Sequence, residues 1–186
     1  MYSPFSNPLV RARVAGLEDA YRARGLSPAA HLTAFEIETG LMSPVAVPHS
    51  LAQALPGTLE VPPRARALLQ HLRAHPEITA LLAENDAMAL NLWRFCTAAG
   101  YRIPDDLSLV GFDDTDPMLD ADGRPLLTSV RIPLQEIGAT AAGQLLQMLH
   151  GKATDPVHTV LPTQLMVRDS TAPARRAGRS PGDRQA

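Results

Sequence analysis

Polar side chains end two short apolar runs of this sequence, at positions where they could bind a ligand. Asn85 and Asp86 follow LLAE, and Asp113 and Asp114 follow LSLVGF. An open α/β sheet binds ligands beyond the carboxyl ends of its strands, so such a fold would bring these side chains to its binding edge. An amide and carboxylates without an adjacent nucleophile favour hydrogen bonds to hydroxyl groups over bond breaking. The pattern therefore predicts a binding site without catalytic residues, in a protein that is not an enzyme.

The same residues have other interpretations. Asn85 and Asp86 could cap the helix that follows, because both side chains accept hydrogen bonds from free helix amides. Asp113 and Asp114 could hold a magnesium ion or accept a phosphoryl group, as in response regulators. Receiver domains also need a lysine at a strand end, and the only lysine of this chain, Lys152, follows a helix instead.

Histidine and cysteine give little support for a metal centre. His71 and His75 lie four residues apart, which could place two metal ligands on one helix face. No third ligand is apparent, so we predict exposed histidines, no metal site and no cofactor. Cys96 is the only cysteine, which excludes an internal disulfide framework and a cysteine-based metal site. Its helical spacing with Met88 and Leu92 predicts a small buried hydrophobe.

The composition is that of a soluble globular protein, with 45% hydrophobic and 19% charged residues. The 186 residues suffice for one ordinary domain or for part of a larger two-lobed one. A net charge of −2 gives no support for direct nucleic-acid binding by this segment. No apolar run approaches the roughly 20 residues of a membrane span, and MYSPFSNPLVRAR lacks the core of a signal peptide. We therefore predict a cytoplasmic protein with no membrane partner.

Strands alternate with helices along the chain, which predicts an α/β fold with a mostly parallel sheet flanked by helices. Helices are predicted at residues 8–25, 64–75, 86–100 and 134–150, and strands at 31–37, 79–84, 107–112, 126–131 and within 157–167. Five prolines place a long loop at residues 43–63, since they forbid a regular element over most of that span. The domain is expected to cover residues 1–171, and the polar tail 172–186 to be disordered.

Several of these segments resemble one family. The segment ITALLAENDAMALNLWRFCTAAGYRIPDDLSLVGFDD resembles the effector-binding core of LacI/GalR-type bacterial transcriptional regulators. LLTSVRIPLQEIGATAAGQLLQMLHG and VLPTQLMVRDST continue the match in the same order and spacing, and RARVAGLEDAYRARGL resembles the first helix of that lobe. The resemblance covers about residues 6–171 and is most specific over 78–171. It implies the C-terminal part of a sensor domain with the type I periplasmic-binding-protein fold, in which two α/β lobes enclose a ligand.

The resemblance also implies a set of effector-binding residues. Arg13 matches the arginine that reaches the ligand, Asn85 the asparagine after the strand, and Asp113 the aspartate at the next strand end. Phe112, beside Asp113, would form part of the cleft wall. These groups suit a sugar or sugar derivative, because a carboxylate and an amide can each contact adjacent hydroxyls and a guanidinium can fork onto another oxygen.

In the intact family, the effector controls DNA binding by a separate headpiece, and the protein is a homodimer. The headpiece, most of the N-terminal lobe and the strand before the first helix have no counterpart in this sequence. We therefore expect a truncated sensor domain with unpaired sheet edges and with exposed apolar surface on the helix at 134–150. The alternatives are a periplasmic-type sugar-binding protein, a flavodoxin-like enzyme that uses Asp113 with a metal, and a non-functional remnant.

Overall fold

A four-stranded sheet forms the centre of the protein. The structure is a computed structural model and describes residues 8–34, 61–115, 118–152 and 158–175. The strands lie in chain order across the sheet: β1 (Ala80–Leu82), β2 (Ser108–Asp113), β3 (Thr128–Arg131) and β4 (Gln164–Met166). The first three are parallel, and β4 runs antiparallel to β3. The predicted α/β fold with a mostly parallel sheet is confirmed.

Five helices are described, and proline or asparagine marks the start of most of them. They are α1 (Pro8–Arg22), α2 (Pro28–His31), α3 (Pro63–Ala74), α4 (Asp86–Ala98) and α5 (Leu134–Leu149). Proline is the first residue of α1, α2 and α3, a position at which its missing N–H costs nothing and its fixed φ fits the helix. The helix α4 begins instead behind the side-chain cap of Asn85.

The helices α3 and α4 bury their apolar faces in one core, in which α4 packs on β2 and α3 packs on α4. Leu72 of α3, Cys96 of α4 and Leu109 of β2 are almost fully buried and belong to one hydrophobic cluster. The predicted burial of Cys96 is confirmed, and this burial raises the pKa of its thiol to about 12. Because α4 lies directly over β2, the core fixes the position of the α4 N-terminus beside the end of that strand.

The other two long helices contribute little to this core. Neither α1 nor α5 buries any of its residues, and Leu145 and Leu149 of α5 are 57% and 72% exposed. Among the described strands, β1 and β4 pair on one side only. The expected apolar exposure on the helix at 134–150 is therefore seen. No helix in the described ranges is both long and apolar enough to cross a lipid bilayer.

Two predictions at the margins differ from the structure. The strand predicted at 31–37 is wrong over its described part, because His31 ends α2 and residues 32–34 join no strand. Pro28, at the first helical position, starts a helical turn there; residues 35–37 lie outside the described ranges. The predicted loop 43–63 also lies largely outside them, and its last residue, Pro63, already begins α3.

The start of the predicted tail lies against the fold. Ser108 Oγ donates to the carbonyl of Ala172 over 3.2 Å, and Arg175 Nε donates to the carbonyl of Asp106 over 3.2 Å. Disorder from Ala172 onward is therefore wrong for residues 172–175. The remainder of the tail, residues 176–186, lies outside the described ranges.

Candidate functional site

Arg13 joins helix α1 to the carboxyl ends of two strands. Its Nη1 donates to the carbonyl of Glu84, just after β1, over 2.6 Å, and its Nη2 lies 3.8 Å from Asp113 Oδ1. Its guanidinium carbon lies 3.7 Å from the centroid of the Phe112 ring, which is a cation–π contact. Three of the four residues predicted for the effector site, Arg13, Phe112 and Asp113, are thus brought together.

The fourth predicted residue, Asn85, caps α4. Its Oδ1 accepts a hydrogen bond from the backbone N–H of Met88 over 2.8 Å. This contact satisfies one backbone N–H of the first helical turn. It also fixes the orientation of the Asn85 side chain. Asn85 directly follows Glu84, the residue whose carbonyl receives Arg13, so both groups occupy the same edge of the sheet. Asn85 therefore has a structural role, which is compatible with a second role at the site.

Asp86 does not cap the helix, which corrects the alternative in which Asp86 was a capping residue. It is buried, and Ser129 Oγ donates to its Oδ1 over 2.5 Å. Burial raises the pKa of this carboxyl, although the hydrogen bond from Ser129 acts in the opposite direction. A Cβ added at Gly111 would lie 2.3 Å from Asp86 Oδ1. Glycine at 111 therefore leaves room for the carboxylate between α4 and the sheet.

Asp113 and Asp114 have backbone conformations that are unusual for residues with side chains. Their φ angles are 97° and 53°, where residues other than glycine are uncommon. The two side chains diverge: Asp113 is 33% exposed and faces Arg13, whereas Asp114 is 1% exposed and pairs with Arg131 and Arg168. Burial raises the pKa of Asp114, but hydrogen bonds from Arg168 and Arg131 outweigh it, so the pKa lies below its ordinary value.

An open depression begins at Asp113 and continues along the start of α5. It has a volume of about 510 Å³ and is lined by residues 113–115 and 131–136. Its polar groups come from the end of β2, from Arg131 and from the start of α5, and residues 132–134 add apolar surface. The predicted effector residues and this depression thus share Asp113.

The charges at this edge do not suit a metal ion or an aspartate that accepts a phosphoryl group. Both strand-end carboxylates already face arginines, which would repel a cation and neutralise the acceptor. Within the described ranges, no group of three metal-ligating side chains occurs. The ring centroids of His71 and His75 lie 4.1 Å apart with the rings tilted by 34°, and His75 Nδ1 lies 2.9 Å from Glu77 Oε1.

Similar proteins were found by sequence and by structure. Residues 6–171 match the family model described as the periplasmic binding protein-like domain. The HTH-type transcriptional regulator CelR of Thermobifida fusca is 38% identical over 104 residues, 56% of this chain and 30% of that protein. A ribose operon repressor of Halalkalibacterium halodurans is 36% identical over 108 residues, 57% of this chain and 30% of that protein.

A solved structure of a LacI family transcriptional regulator from Enterococcus faecalis V583, with bound ribose, is 34% identical to this chain. The two align with a TM-score of 0.49 over 59% of this chain and 40% of that one. The chain spans less than a third of the length of the two curated relatives above.

Proposed function

Because this chain belongs to the periplasmic binding protein-like domain family, we propose that it is the effector-binding part of a LacI/GalR-type transcriptional regulator. The proposal is carried by the meeting of Arg13, Phe112 and Asp113 at the carboxyl edge of the sheet, where open α/β folds bind ligands. The relatives are named as regulators of transcription, and the carboxylates of the site are paired with arginines. We therefore assign the site to binding and no catalytic step to the chain.

A sugar or sugar derivative is the effector class that fits these polar groups. A hydroxyl both donates and accepts hydrogen bonds, and Arg13 offers donors 3.8 Å from the acceptor oxygen of Asp113. One hydroxyl can therefore bridge the two side chains, and charge-assisted bonds of this kind are the stronger ones. A ribose operon repressor and a lactose operon repressor are among the relatives, which favours the same class here.

Asn85 and Phe112 complete the proposed site. The side-chain oxygen of Asn85 accepts the capping hydrogen bond from the backbone N–H of Met88. The side-chain nitrogen of Asn85 is a hydrogen-bond donor. The Phe112 ring supplies an apolar wall and, through its face, holds the guanidinium of Arg13. The effector would thus meet an acceptor, two kinds of donor and one aromatic side chain.

Regulation in this proposal is a coupling between two sites. DNA is contacted by a headpiece outside these 186 residues, in a cytoplasmic homodimer. Effector binding shifts the equilibrium between two arrangements of the sensor lobes, and thereby changes the affinity for operator DNA. That shift can be no larger than the difference in effector binding free energy between the two arrangements.

The test is a titration of the ¹⁵N-labelled 186-residue chain with D-ribose, lactose and L-arabinose, followed by NMR. We expect one of these sugars to shift the amide signals of Asn85, Phe112 and Asp113. The Arg13→Gln variant should weaken that binding by about tenfold or more, since it removes charge-assisted hydrogen bonds. The control is Arg24→Gln, because Arg24 is an exposed arginine that donates to the local carbonyl of Ala20 over 3.1 Å.

Two results would overturn the proposal. In the first, none of the sugars moves the signals of the strand-end residues. In the second, a sugar binds but the Arg13→Gln and Arg24→Gln variants keep equal affinity, which would place the binding site elsewhere.

A further inference from the structure

Adjacent residues at the end of β2 point their carboxylates to different arginines. Asp113 faces Arg13, which stacks on Phe112, while Asp114 turns inward and is 1% exposed. In a regular strand, successive side chains point to opposite faces of the sheet. Arg13 nevertheless contacts both Phe112 and Asp113. The chain must therefore leave the strand conformation at Asp113, and the φ of 97° at this residue is where it does so.

Asp114 is held from both sides by two arginines. Arg131 Nε donates to Oδ2 over 2.7 Å, and Arg168 Nη1 donates to Oδ1 over 2.6 Å. Arg168 Nη1 also donates to the carbonyl of Leu127 over 2.6 Å. The carboxylate is thereby tied to the end of β3, to the segment after β4 and to the residue before β3. We call this group, Asp114 with Arg131 and Arg168, the carboxylate clamp.

The clamp accounts for the conformation of the strand end. Two consecutive residues with positive φ and side chains are costly unless the surrounding structure holds them. Asp114 is the second of the two, and both of its oxygens are fixed by charged hydrogen bonds. A φ of 97° at Asp113 differs from that of a regular strand and changes the direction of its side chain. The carboxylate of Asp113 therefore lies on the same face of the sheet as the Phe112 ring, where Arg13 contacts both.

We propose that Asp114 is a positioning residue for effector binding: the carboxylate clamp holds the turn at residues 113–114, and this turn aims Asp113 at Arg13. The proposal rests on the function proposed above. Asp114 also lines the depression, but its side chain is 1% exposed and both of its carboxylate oxygens already bond to arginines, so it acts through Asp113. Its contribution is to keep the donor of Arg13 and the acceptor of Asp113 together before a ligand arrives.

A matched pair of variants separates positioning from general stability. Asp106 is also a buried aspartate, 3% exposed, and it pairs with Arg102 through two hydrogen bonds of 2.8 and 2.9 Å. It precedes β2, at the end of the strand opposite Asp113. Asp114→Asn and Asp106→Asn therefore each weaken an ion pair between a buried carboxylate and a partly exposed arginine, but only the first lies at the proposed site.

The first readout needs no ligand. Arg13 lies over the Phe112 ring, so its side-chain proton signals are displaced by the ring current of the aromatic group. We expect Asp114→Asn to remove most of this displacement, because Asp113 no longer holds the guanidinium there. Asp106→Asn should keep the displacement while lowering the melting temperature. The second readout is affinity for the sugar that binds the unsubstituted chain, which Asp114→Asn should weaken by about tenfold.

The outcomes are distinct. If Asp114→Asn lowers only the melting temperature and leaves the Arg13 signals in place, Asp114 is merely structural and the proposal is overturned. If no sugar binds the unsubstituted chain, the function proposed above fails. The ring-current comparison still tests whether the carboxylate clamp holds Asp113 against Arg13. Should Asp114→Asn not fold, Arg131→Gln replaces it, since this arginine is 46% exposed and its loss leaves Arg168 on Asp114. Unchanged Arg13 signals in Arg131→Gln would then contradict the clamp.

Discussion

The guanidinium carbon of Arg13 lies 3.7 Å from the centroid of the Phe112 ring, joining helix α1 to the end of strand β2. Since α1 buries none of its residues, this contact and the hydrogen bond to Glu84 are specific attachments of the helix to the sheet. The position of a helix that supplies a proposed ligand-binding residue, Arg13, therefore depends on contacts of that same residue.

The contact between Arg13 and Phe112 should be measurable as a coupling energy. A double-mutant cycle of Arg13→Gln and Phe112→Leu is expected to give a coupling of about 0.5–1 kcal/mol in the free energy of unfolding, the usual size for a partly exposed cation–π pair. Urea unfolding followed by circular dichroism measures it. Strict additivity of the two single variants would show that the contact contributes nothing.

Asn85 should show separate effects as a cap and as a ligand-binding group. Asn85→Ala removes the acceptor for Met88 N–H and is expected to lower the free energy of unfolding by about 1 kcal/mol. Asn85→Asp keeps the acceptor and the stability, but it replaces the amide donor with a carboxylate, so sugar binding should weaken. Urea unfolding and the NMR titration are compared for the two variants. Equal affinity of Asn85→Asp and the unsubstituted chain would limit Asn85 to capping.

Gly111 should not accept even a methyl group. The added Cβ of Gly111→Ala would meet Asp86 Oδ1 at 2.3 Å and Leu127 Cδ2 at 2.8 Å, so α4 or the sheet must shift. Overpacking of this kind typically costs about 1–3 kcal/mol. The control is Gly143→Ala on α5, where nothing lies within 4 Å of the added Cβ. A free energy of unfolding that is unchanged in Gly111→Ala would contradict the close approach of Asp86.

Low pH should lower the free energy of unfolding, because Asp106 and Asp114 become protonated. Hydrogen bonds from Arg102 lower the pKa of Asp106, and for Asp114 the arginine hydrogen bonds outweigh the opposing effect of burial, so this pKa is lowered too. Because each folded-state pKa lies below the ordinary value of 3.8, these groups stabilise the protein above that pH. As the pH falls below it, the unfolded chain binds protons first and the stabilisation is lost.

The melting temperature measured by circular dichroism is therefore expected to drop steeply below about pH 4. Asp106→Asn and Asp114→Asn should each be less stable near neutral pH and should show a shallower acid drop, because each lacks one of the titrating groups. Curves parallel to that of the unsubstituted chain would show that neither pair contributes to the acid transition.

The sequence was sufficient for the elements that its hydrophobic pattern marks most clearly. The strands predicted at 79–84 and 107–112 contain or overlap β1 and β2, and the helix behind Asn85 is α4. The resemblance to LacI/GalR-type regulators is confirmed by the matched family and relatives. The predicted strand at 31–37 was wrong over residues 31–34, because a short apolar run does not distinguish a strand from a helical turn behind Pro28.

The contacts that build the site depend on register and long-range packing, which single residues do not reveal. Arg13 contacts Glu84, 71 residues further along the chain. The family resemblance indicated that Arg13 belongs to the site, but nothing in the sequence indicated this contact. The pairing of Asp114 with Arg168 spans 54 residues, and that of Asp86 with Ser129 spans 43. Nothing in the sequence distinguishes Asp86 and Asp114 from exposed carboxylates, since their burial follows from the packing of α4 and from the turn at the end of β2.

Because Cys96 is buried, the rate at which its thiol is modified reports on opening of the core. Cys96 is the only cysteine in the sequence, it lies on the buried face of α4, and its thiol reacts only as the thiolate. A thiol reagent can therefore modify the protein only during the excursions in which α4 separates from the sheet. When reclosing is faster than modification, the labelling rate measures the population of that open form. Fraying of α1 or α5 would leave this rate unchanged, so Cys96 isolates the cooperative unit on which the effector edge is built.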